Sequence, residues 1–297
     1  QKCMLEPTEK LISLFQEKNI KHAIFFVDTT YLIRLNEAAQ TSISAANDFA
    51  AIKAQLQDLI RKEHYIFPHI HPHWLDAVYH PEKNRWSLDN IRYYRFNAIS
   101  ESLRASLFEQ SMQLLQTIAL PVNPSYRCDA YRAGGWCIQP FEDFYPHFKK
   151  HGIQTDFSVL PGLKNLSTAQ YYDFEKAPQQ AIYQFEDDVL QQKNSGTFTQ
   201  MAISVQAIPN LLQLANKFWL KFLWKTGNHS IGDGNGVVAK ASQDASPQIT
   251  QLEMVSIELM TRVKMPLYLS FLQKNNYMHF ISHPKMLSPH NFACFDK

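Results

Sequence analysis

The sequence predicts an α/β fold whose parallel strands close into a barrel, and two observations support this prediction. Short apolar runs alternate along the chain with longer stretches in which apolar residues recur at helical spacing. The run 22–27 is apolar almost throughout and is followed by Asp28, as expected of a strand buried on both faces. Because alternating strands and helices are typical of parallel sheets, we expect the carboxyl ends of the strands to meet on one face.

The predicted elements follow one another without an internal repeat or a linker, so a single domain over 1–297 is expected. Helical periodicity is found at 11–15, 45–62, 97–117, 141–150, 211–224 and 251–274, the last with a break near Pro266. Strands are predicted at 22–27, before the histidine stretch around His69, and at 126–132, 154–159, 198–205 and 277–284. The glycine-rich stretch 226–246 is predicted to be a loop.

The composition restricts the classes of function. A net charge of +2 without a dense Lys/Arg patch argues against a nucleic-acid partner. The four cysteines show no CxxC spacing and fit reduced thiols better than a disulfide framework. No apolar run approaches the roughly 18 residues of a membrane span, and nothing resembles a signal peptide, which favours the cytoplasm. The oligomeric state is not predicted by any feature of the sequence.

Histidines are concentrated in one stretch of the chain. Five of the twelve fall within 64–80, and His69, His71 and His73 alternate. Alternate residues of an extended segment project to one side, and Pro72 cannot donate to a sheet ladder, so the strand should end there. A single histidine is usually an ordinary surface or core residue. Three within five residues predict a metal site, because neutral imidazole is the commonest metal ligand among side chains.

Polar or charged side chains follow several of the predicted strands. They are Asp28, His69 with His73, Arg132, Asp156 and His283. Each lies at or just beyond the carboxyl end of its strand. In a parallel α/β barrel those ends converge, so the sequence predicts one functional site that contains all of them.

These residues resemble the motifs of a known family, the polysaccharide deacetylases, which are metal-dependent carbohydrate esterases and include chitooligosaccharide deacetylases. The stretch 21–28 looks like the second strand of the family, and the histidine stretch is similar to its metal motif. The stretch 131–136 looks like the arginine motif on one wall of the groove. The stretch 156–159 resembles a following motif without its usual tryptophan, and 280–284 looks like the final histidine motif. The resemblance runs along most of the chain and is loose between the motifs.

The resemblance implies a distorted (β/α)7 barrel that holds a divalent metal ion, with zinc favoured. The metal motif has two histidines four residues apart, which implies His69 and His73 as ligands and leaves His71 outside the ligand set. His64 matches a histidine that is commonly found five residues before the first ligand.

Family members open with a strand that carries a pair of acidic residues, one a metal ligand and the other the general base. This chain opens with a helix that resembles the one following that strand. The first strand is therefore expected upstream of Gln1, or it has been lost. We assign Asp28 to the substrate-binding residues. The alternative is that Asp28 replaces the missing acidic residue as a metal ligand.

The implied activity is removal of N-acetyl groups from a sugar, an oligosaccharide or a cell-envelope glycan precursor. Metal-bound water would attack the amide, a carboxylate base would take its proton, and His283 would protonate the leaving amine. Arg132 would orient the base and Asp156 would hold His283 in the useful tautomer. Trp136 and Trp74 would form walls on which the sugar stacks.

Each of these assignments has a structural alternative. Arg132 could form an ion pair, Asp156 could cap the turn after its strand, and His283 could be an ordinary residue at a strand end. Core packing is an equal explanation for Trp136 and Trp74. Two other functions also stay open: a catalytically inactive protein of this fold that binds glycans or serves in assembly, and a hydrolase of a different non-peptide C–N bond.

Overall fold

The computed structural model describes residues 4–89, 93–167, 169–232 and 250–297. Its helices are α1 Leu5–Glu17, α2 Thr29–Ala39, α3 Ile43–Arg61, α4 Glu101–Ala119, α5 Tyr145–His151, α6 Asn210–Lys225, α7 Met265–Lys274 and α8 Pro289–Phe295. Its strands are β1 Ile24–Asp28, β2 Tyr65–His69, β3 Val78–His80, β4 Arg85–Ser87, β5 Ala130–Tyr131, β6 Thr155–Asp156, β7 Lys164–Leu166, β8 Tyr171–Asp173, β9 Ile182–Phe185, β10 Phe198–Met201, β11 Val205–Pro209 and β12 Thr250–Met254. No helix within these ranges is long and apolar enough to cross a membrane.

Parallel pairing dominates the part of the fold that carries the predicted site. β1 lies parallel to β2 with Asp28 opposite His69, and β5, β6 and β10 form a second parallel group to which β9 adds antiparallel. The Arg132 N–H donates to the carbonyl oxygen of Pro68 at 3.5 Å, so β5 runs beside β2. The carboxyl ends of β1, β2 and β5 are therefore neighbours, as predicted.

The predicted barrel of seven parallel strands is wrong. The described strands form sheets of two to four strands, several of the pairs are antiparallel, and none of the sheets closes. Parallel neighbours need a crossover of a dozen or more residues, whereas a hairpin needs only a short turn. The chain makes hairpins at β3–β4 and β7–β8, where four residues separate each pair of strands. These segments are too closely spaced for the strand–helix–strand units of a barrel.

The helices predicted from periodicity at 45–62, 97–117 and 211–224 are confirmed by α3, α4 and α6. The helix predicted over 251–274 is largely wrong. That stretch contains β12, which pairs with β11, then a 3-10 turn at Ile257–Leu259, and it becomes α-helical only at Met265. The apolar spacing of 251–254 predicts a helix, but antiparallel pairing with β11 makes these residues a strand. The loop predicted at 226–246 lies mostly outside the described residues.

The main core contains a cluster of buried aromatic rings that includes Tyr131 of β5 and Phe198 of β10. Phe148 and Phe108 are fully buried in it, and the Phe148 ring meets Tyr131 at 5.4 Å and Phe198 at 5.6 Å between centroids. Buried aromatic rings contribute a large apolar area, and their edge-to-face contacts add specific geometry. This packing fixes α5 against the strands and so fixes the position of Arg132, which directly follows β5.

Candidate functional site

His69 ends β2, and its ring is held from both sides. Its Nδ1 lies 2.7 Å from the carbonyl oxygen of Arg132, which can only accept, so the proton of His69 is on Nδ1. Its Nε2 lies 3.0 Å from Nε2 of His71. With the His69 proton on Nδ1, the His71 Nε2–H must donate. The Nδ1 of His71 then carries no proton, and it is buried without a hydrogen-bond partner.

All three alternating histidines are held neutral. Burial lowers the pKa of His69 and of His71 well below the ordinary range, and the charge of Arg132 lowers both further. Burial, followed by the charge of Lys285, lowers the pKa of His73 to about 4. Neutral imidazole is the form that binds metal, and a ring nitrogen fixed by a backbone carbonyl is typical of metal-ligating histidines.

The structure brings His71, rather than His73, into contact with His69. His73 lies in the 3-10 turn Pro72–Asp76, where its ring stacks on Tyr94 with centroids 5.5 Å apart. Its Nδ1 is also buried without a partner. The ligand pair His69 and His73 stays a prediction, and the histidines in hydrogen-bond contact in the structure are His69 and His71, two residues apart.

These residues fit a metal ion only in part. His69 and His71 supply two neutral imidazoles, which is the correct chemistry for zinc, but the proton on His71 Nε2 would have to move to Nδ1 before both facing nitrogens could bind the ion. Zinc sites in proteins need at least three protein ligands. No group of three or more His, Cys, Asp and Glu side chains in the described part of the chain could hold a metal ion.

Asp28 is hydrogen-bonded to Trp74, which ends the histidine stretch. Its carboxylate accepts from the Trp74 indole Nε1–H at 2.8 Å and from the Tyr31 backbone N–H at 3.1 Å. Burial raises the pKa of Asp28 to about 7, although these hydrogen bonds and the charge of Lys285 act to lower it. The Trp74 ring packs against Tyr31 and Trp86 with centroids 4.8 and 5.7 Å apart. Trp74 therefore positions a carboxyl group that can gain or lose a proton near neutral pH.

His64 is a core residue. Only 4% of it is exposed, and its Nδ1 accepts from the Ala23 backbone N–H at 3.3 Å. The rings of Phe15 and Phe25 contact it edge-on. This histidine holds α1 and β1 against β2 and is not part of the site.

Asp156 is fully buried and binds Ser158. Its carboxylate accepts from the Ser158 N–H at 2.8 Å and from the Ser158 hydroxyl at 2.7 Å, and that hydroxyl accepts from the Ala133 N–H at 2.8 Å. Burial raises the pKa of Asp156 to about 6 despite these donors. The prediction that Asp156 holds His283 is therefore wrong. Asp156 instead ties the end of β6 to the segment that follows Arg132.

His283 is held by Glu258, a residue that the sequence interpretation missed. The His283 Nδ1 lies 2.6 Å from Oε1 of Glu258, whose side chain is only 7% exposed. Burial acts to raise the pKa of Glu258, but the hydrogen bond and the charge of His283 outweigh it, and the pKa is lowered. Glu258 lies in the 3-10 turn Ile257–Leu259, inside the stretch predicted as a helix. No motif in the sequence marks it.

Trp136 stands beside this pair. Its ring is perpendicular to that of His283, with centroids 6.3 Å apart, and it also meets Tyr172 at 6.0 Å. The charge of His283 contributes to the low pKa of both His69 and His71. We group the His283–Glu258 pair with the His69–His71 pair as one candidate site, with the Trp136 ring against His283.

Arg132 is a buried cation without a complete set of partners. It is 8% exposed, its guanidinium lies 4.8 Å from the centre of the Phe26 ring, and its Nε has no hydrogen-bond partner. Burial lowers its pKa to about 10, against the effect of the Glu258 charge. Arg132 and Asp28 both line a cavity of about 400 Å³ between β1, α1 and the segment 277–284. The candidate site borders this mostly apolar cavity at Asp28 and Arg132, whereas the described lining does not include His69, His71 or His283.

Gly134 lets the chain pass close to the histidine pair. A Cβ at this position would lie 2.3 Å from the carbonyl oxygen of Ile70 and 2.9 Å from Nδ1 of His71. We expect Gly134→Ala to lower the free energy of unfolding by about 1–3 kcal/mol, because either the backbone or the His71 ring must move. Denaturant unfolding measures the loss, and NMR of the imidazole protons reports the movement of His71.

Gly152→Ala is the control for this prediction, since no atom lies within 4 Å of the Cβ it would add. It carries the cost of a positive φ of 70° but should leave the His71 signals in place. Unchanged His71 signals in Gly134→Ala would contradict the described approach of the two segments.

Comparison with protein-family models, with curated proteins and with solved structures gives no significant match. The resemblance to polysaccharide deacetylases stays a prediction from the motifs.

Proposed function

We propose that the protein is a hydrolase that removes N-acetyl groups from a sugar or a glycan precursor, with His283 as its general acid. The observation that supports this most directly is the His283–Glu258 pair beside two neutral histidines. A buried carboxylate 2.6 Å from Nδ1 fixes the proton on that nitrogen and leaves Nε2 free to exchange a proton with substrate. An imidazole oriented by a third group is the arrangement used by many acid–base catalysts.

Asp28 is the residue we assign as general base. A base works best when its pKa is near the working pH, and burial brings the pKa of Asp28 to about 7. Asp28 lies opposite His69 in the pairing of β1 with β2, and it is among the residues that line the cavity. The Trp74 indole keeps the group oriented through its 2.8 Å hydrogen bond.

A zinc ion is the cofactor we propose, and when bound it would supply a water of lowered pKa and a Lewis acid for the amide oxygen. His69 and His71 would hold it, and the carbonyl of Arg132 would orient the His69 ring. The third protein ligand would have to be a residue beyond this pair. Trp136 would offer its ring to the sugar.

A second function is favoured by one observation. The described residues contain no group of three metal-ligating side chains, which fits a glycan-binding or assembly protein without catalysis. Such a protein would retain a wall such as Trp136 and would release no acetate.

Acetate release from N-acetylglucosamine oligomers, measured together with zinc content by elemental analysis, separates the two functions. We expect near-stoichiometric zinc and acetate release in the parent protein, and loss of both in His69→Ala and His71→Ala. His80→Ala is the control, because His80 pairs with Ser87 and Glu82 in the β3–β4 hairpin, away from His69 and His71 in the described structure. Sugar binding without zinc or turnover would support the second function. Turnover of formyl or other acyl amines alone would place the chemistry on a different C–N bond. Action in the cytoplasm stays a prediction.

A further inference from the structure

Helix α6 has an inner face that packs on the body of the protein and a second apolar face that the described residues leave exposed. Leu223 and Asn216 are buried on the inner face. There the Asn216 Oδ1 accepts from the Thr261 hydroxyl, and the Trp219 Nε1–H donates to His290 at 3.3 Å. These contacts anchor the helix to the body of the protein through one side.

The outer face carries a continuous row of large apolar side chains. Leu211, Leu214, Phe218 and Phe222 are spaced by three or four residues, so they share one face of the helix. Their exposed fractions are 80%, 51%, 62% and 54%. We call these four residues the outer strip. Single exposed apolar residues are ordinary, but a row of four on one helix face marks an interaction surface.

Charge determines which partner fits the outer strip. Lys217, Lys221 and Lys225 follow one another at intervals of four residues along one side of it, and all three are exposed. The helix sequence contains no acidic residue. Trp224, 67% exposed, lies on the far side of these lysines from the outer strip. A second copy of this helix would bring three positive charges against three, which disfavours self-association through this face.

We propose that α6 is a membrane-surface helix that lays its outer strip into the headgroup region of a bilayer rich in anionic lipid. Helices with a row of Leu and Phe beside lysines bind membranes in this way, through buried apolar area and attraction to anionic headgroups. With 16 residues, α6 would lie in the plane of the interface. This proposal does not rest on the proposed hydrolase activity, and its test has no activity readout.

The test is sedimentation of the whole protein with phosphatidylcholine vesicles, with and without one third phosphatidylglycerol. We expect binding to the anionic vesicles, and we expect salt to weaken it. Changing Lys217, Lys221 and Lys225 together to glutamine should lower the partition coefficient roughly a hundredfold, because each lysine near an anionic surface contributes about 1 kcal/mol, or about fivefold. The double variant Phe218→Ser/Phe222→Ser should lower it by at least about tenfold.

The matched control changes Lys10, Lys83 and Lys176 to glutamine, three exposed lysines on other parts of the surface. It removes the same charge and should retain at least half of the binding. All the substituted side chains are exposed, so the melting temperature should change little, and a thermal scan checks that each variant is folded.

Three results would overturn the proposal. Parent protein that stays in the supernatant with anionic vesicles at low salt excludes the bilayer as the partner. Equal loss of binding in the two lysine variants would show a general charge effect. Concentration-dependent dimers in sedimentation velocity that Phe218→Ser/Phe222→Ser makes monomeric, without vesicle binding, would assign the outer strip to a second copy of the chain.

Discussion

Replacing His283 by alanine is expected to lower acetate release about 10²–10⁴-fold, which is the usual contribution of a positioned general acid or base. The reason is geometric: the ring beside Trp136 is the one imidazole of the site whose orientation is set by a buried carboxylate. The measurement is the steady-state rate on N-acetylglucosamine oligomers at saturating zinc. His283 is about one third exposed, so imidazole added to the solution can reach the position it leaves. We expect partial rescue by imidazole.

The control for this prediction is His80→Ala, which should retain the parent rate. Rescue separates a lost proton donor from a damaged fold, because imidazole cannot repair packing. A His283→Ala rate within a factor of two of the parent would remove His283 from the mechanism and would leave the pair with Glu258 as a structural contact.

Replacing Phe148 by alanine is expected to lower the free energy of unfolding by about 3–5 kcal/mol, the range found for large aromatic residues removed from a core. Phe148 is fully buried. Its ring meets Phe141, Tyr131 and Phe198 with centroids 5.2, 5.4 and 5.6 Å apart. The surrounding rings are held by both β5 and β10 and cannot close the space. Guanidinium unfolding followed by circular dichroism measures the loss.

Phe218→Ala is the matched control, the same change at a residue that is 62% exposed on α6. It should alter the free energy of unfolding by no more than about 0.5 kcal/mol. A loss below about 1 kcal/mol for Phe148→Ala would mean that the aromatic cluster is packed less tightly than described.

The elements that could be predicted from the sequence are those whose own residues show a pattern of apolar burial. The apolar run that became β1 and the helical spacing of α3 and α4 are visible in the residues themselves. The sheet arrangement was predicted wrongly as a barrel, because the sequence does not show which strands pair. The antiparallel pairing of β11 with β12 places residues 251–254 in a strand, although their apolar spacing also fits a helix.

In the candidate site as well, local patterns could be predicted from the sequence and tertiary contacts could not. Alternation predicts that His69, His71 and His73 share one side only while the chain is extended, and β2 ends at His69. The 3-10 turn that begins at Pro72 rotates His73 away from the row, so His71 becomes the neighbour of His69. Glu258 could not be found, because its partnership with His283 joins residues 25 positions apart through tertiary packing alone.

The burial of Asp28 has a consequence for the whole molecule, since it makes folding take up a proton. Its pKa is about 7 in the folded protein and near the ordinary value of 3.8 when the chain is unfolded. Between those values the folded state binds more protons at this carboxyl than the unfolded state does. The contribution of Asp28 to stability is therefore complete below about pH 4 and is lost as the pH rises through 7. The Trp74 indole donates to this carboxyl group, so the fluorescence of Trp74, one of the chain's five tryptophans, is expected to change as Asp28 ionises.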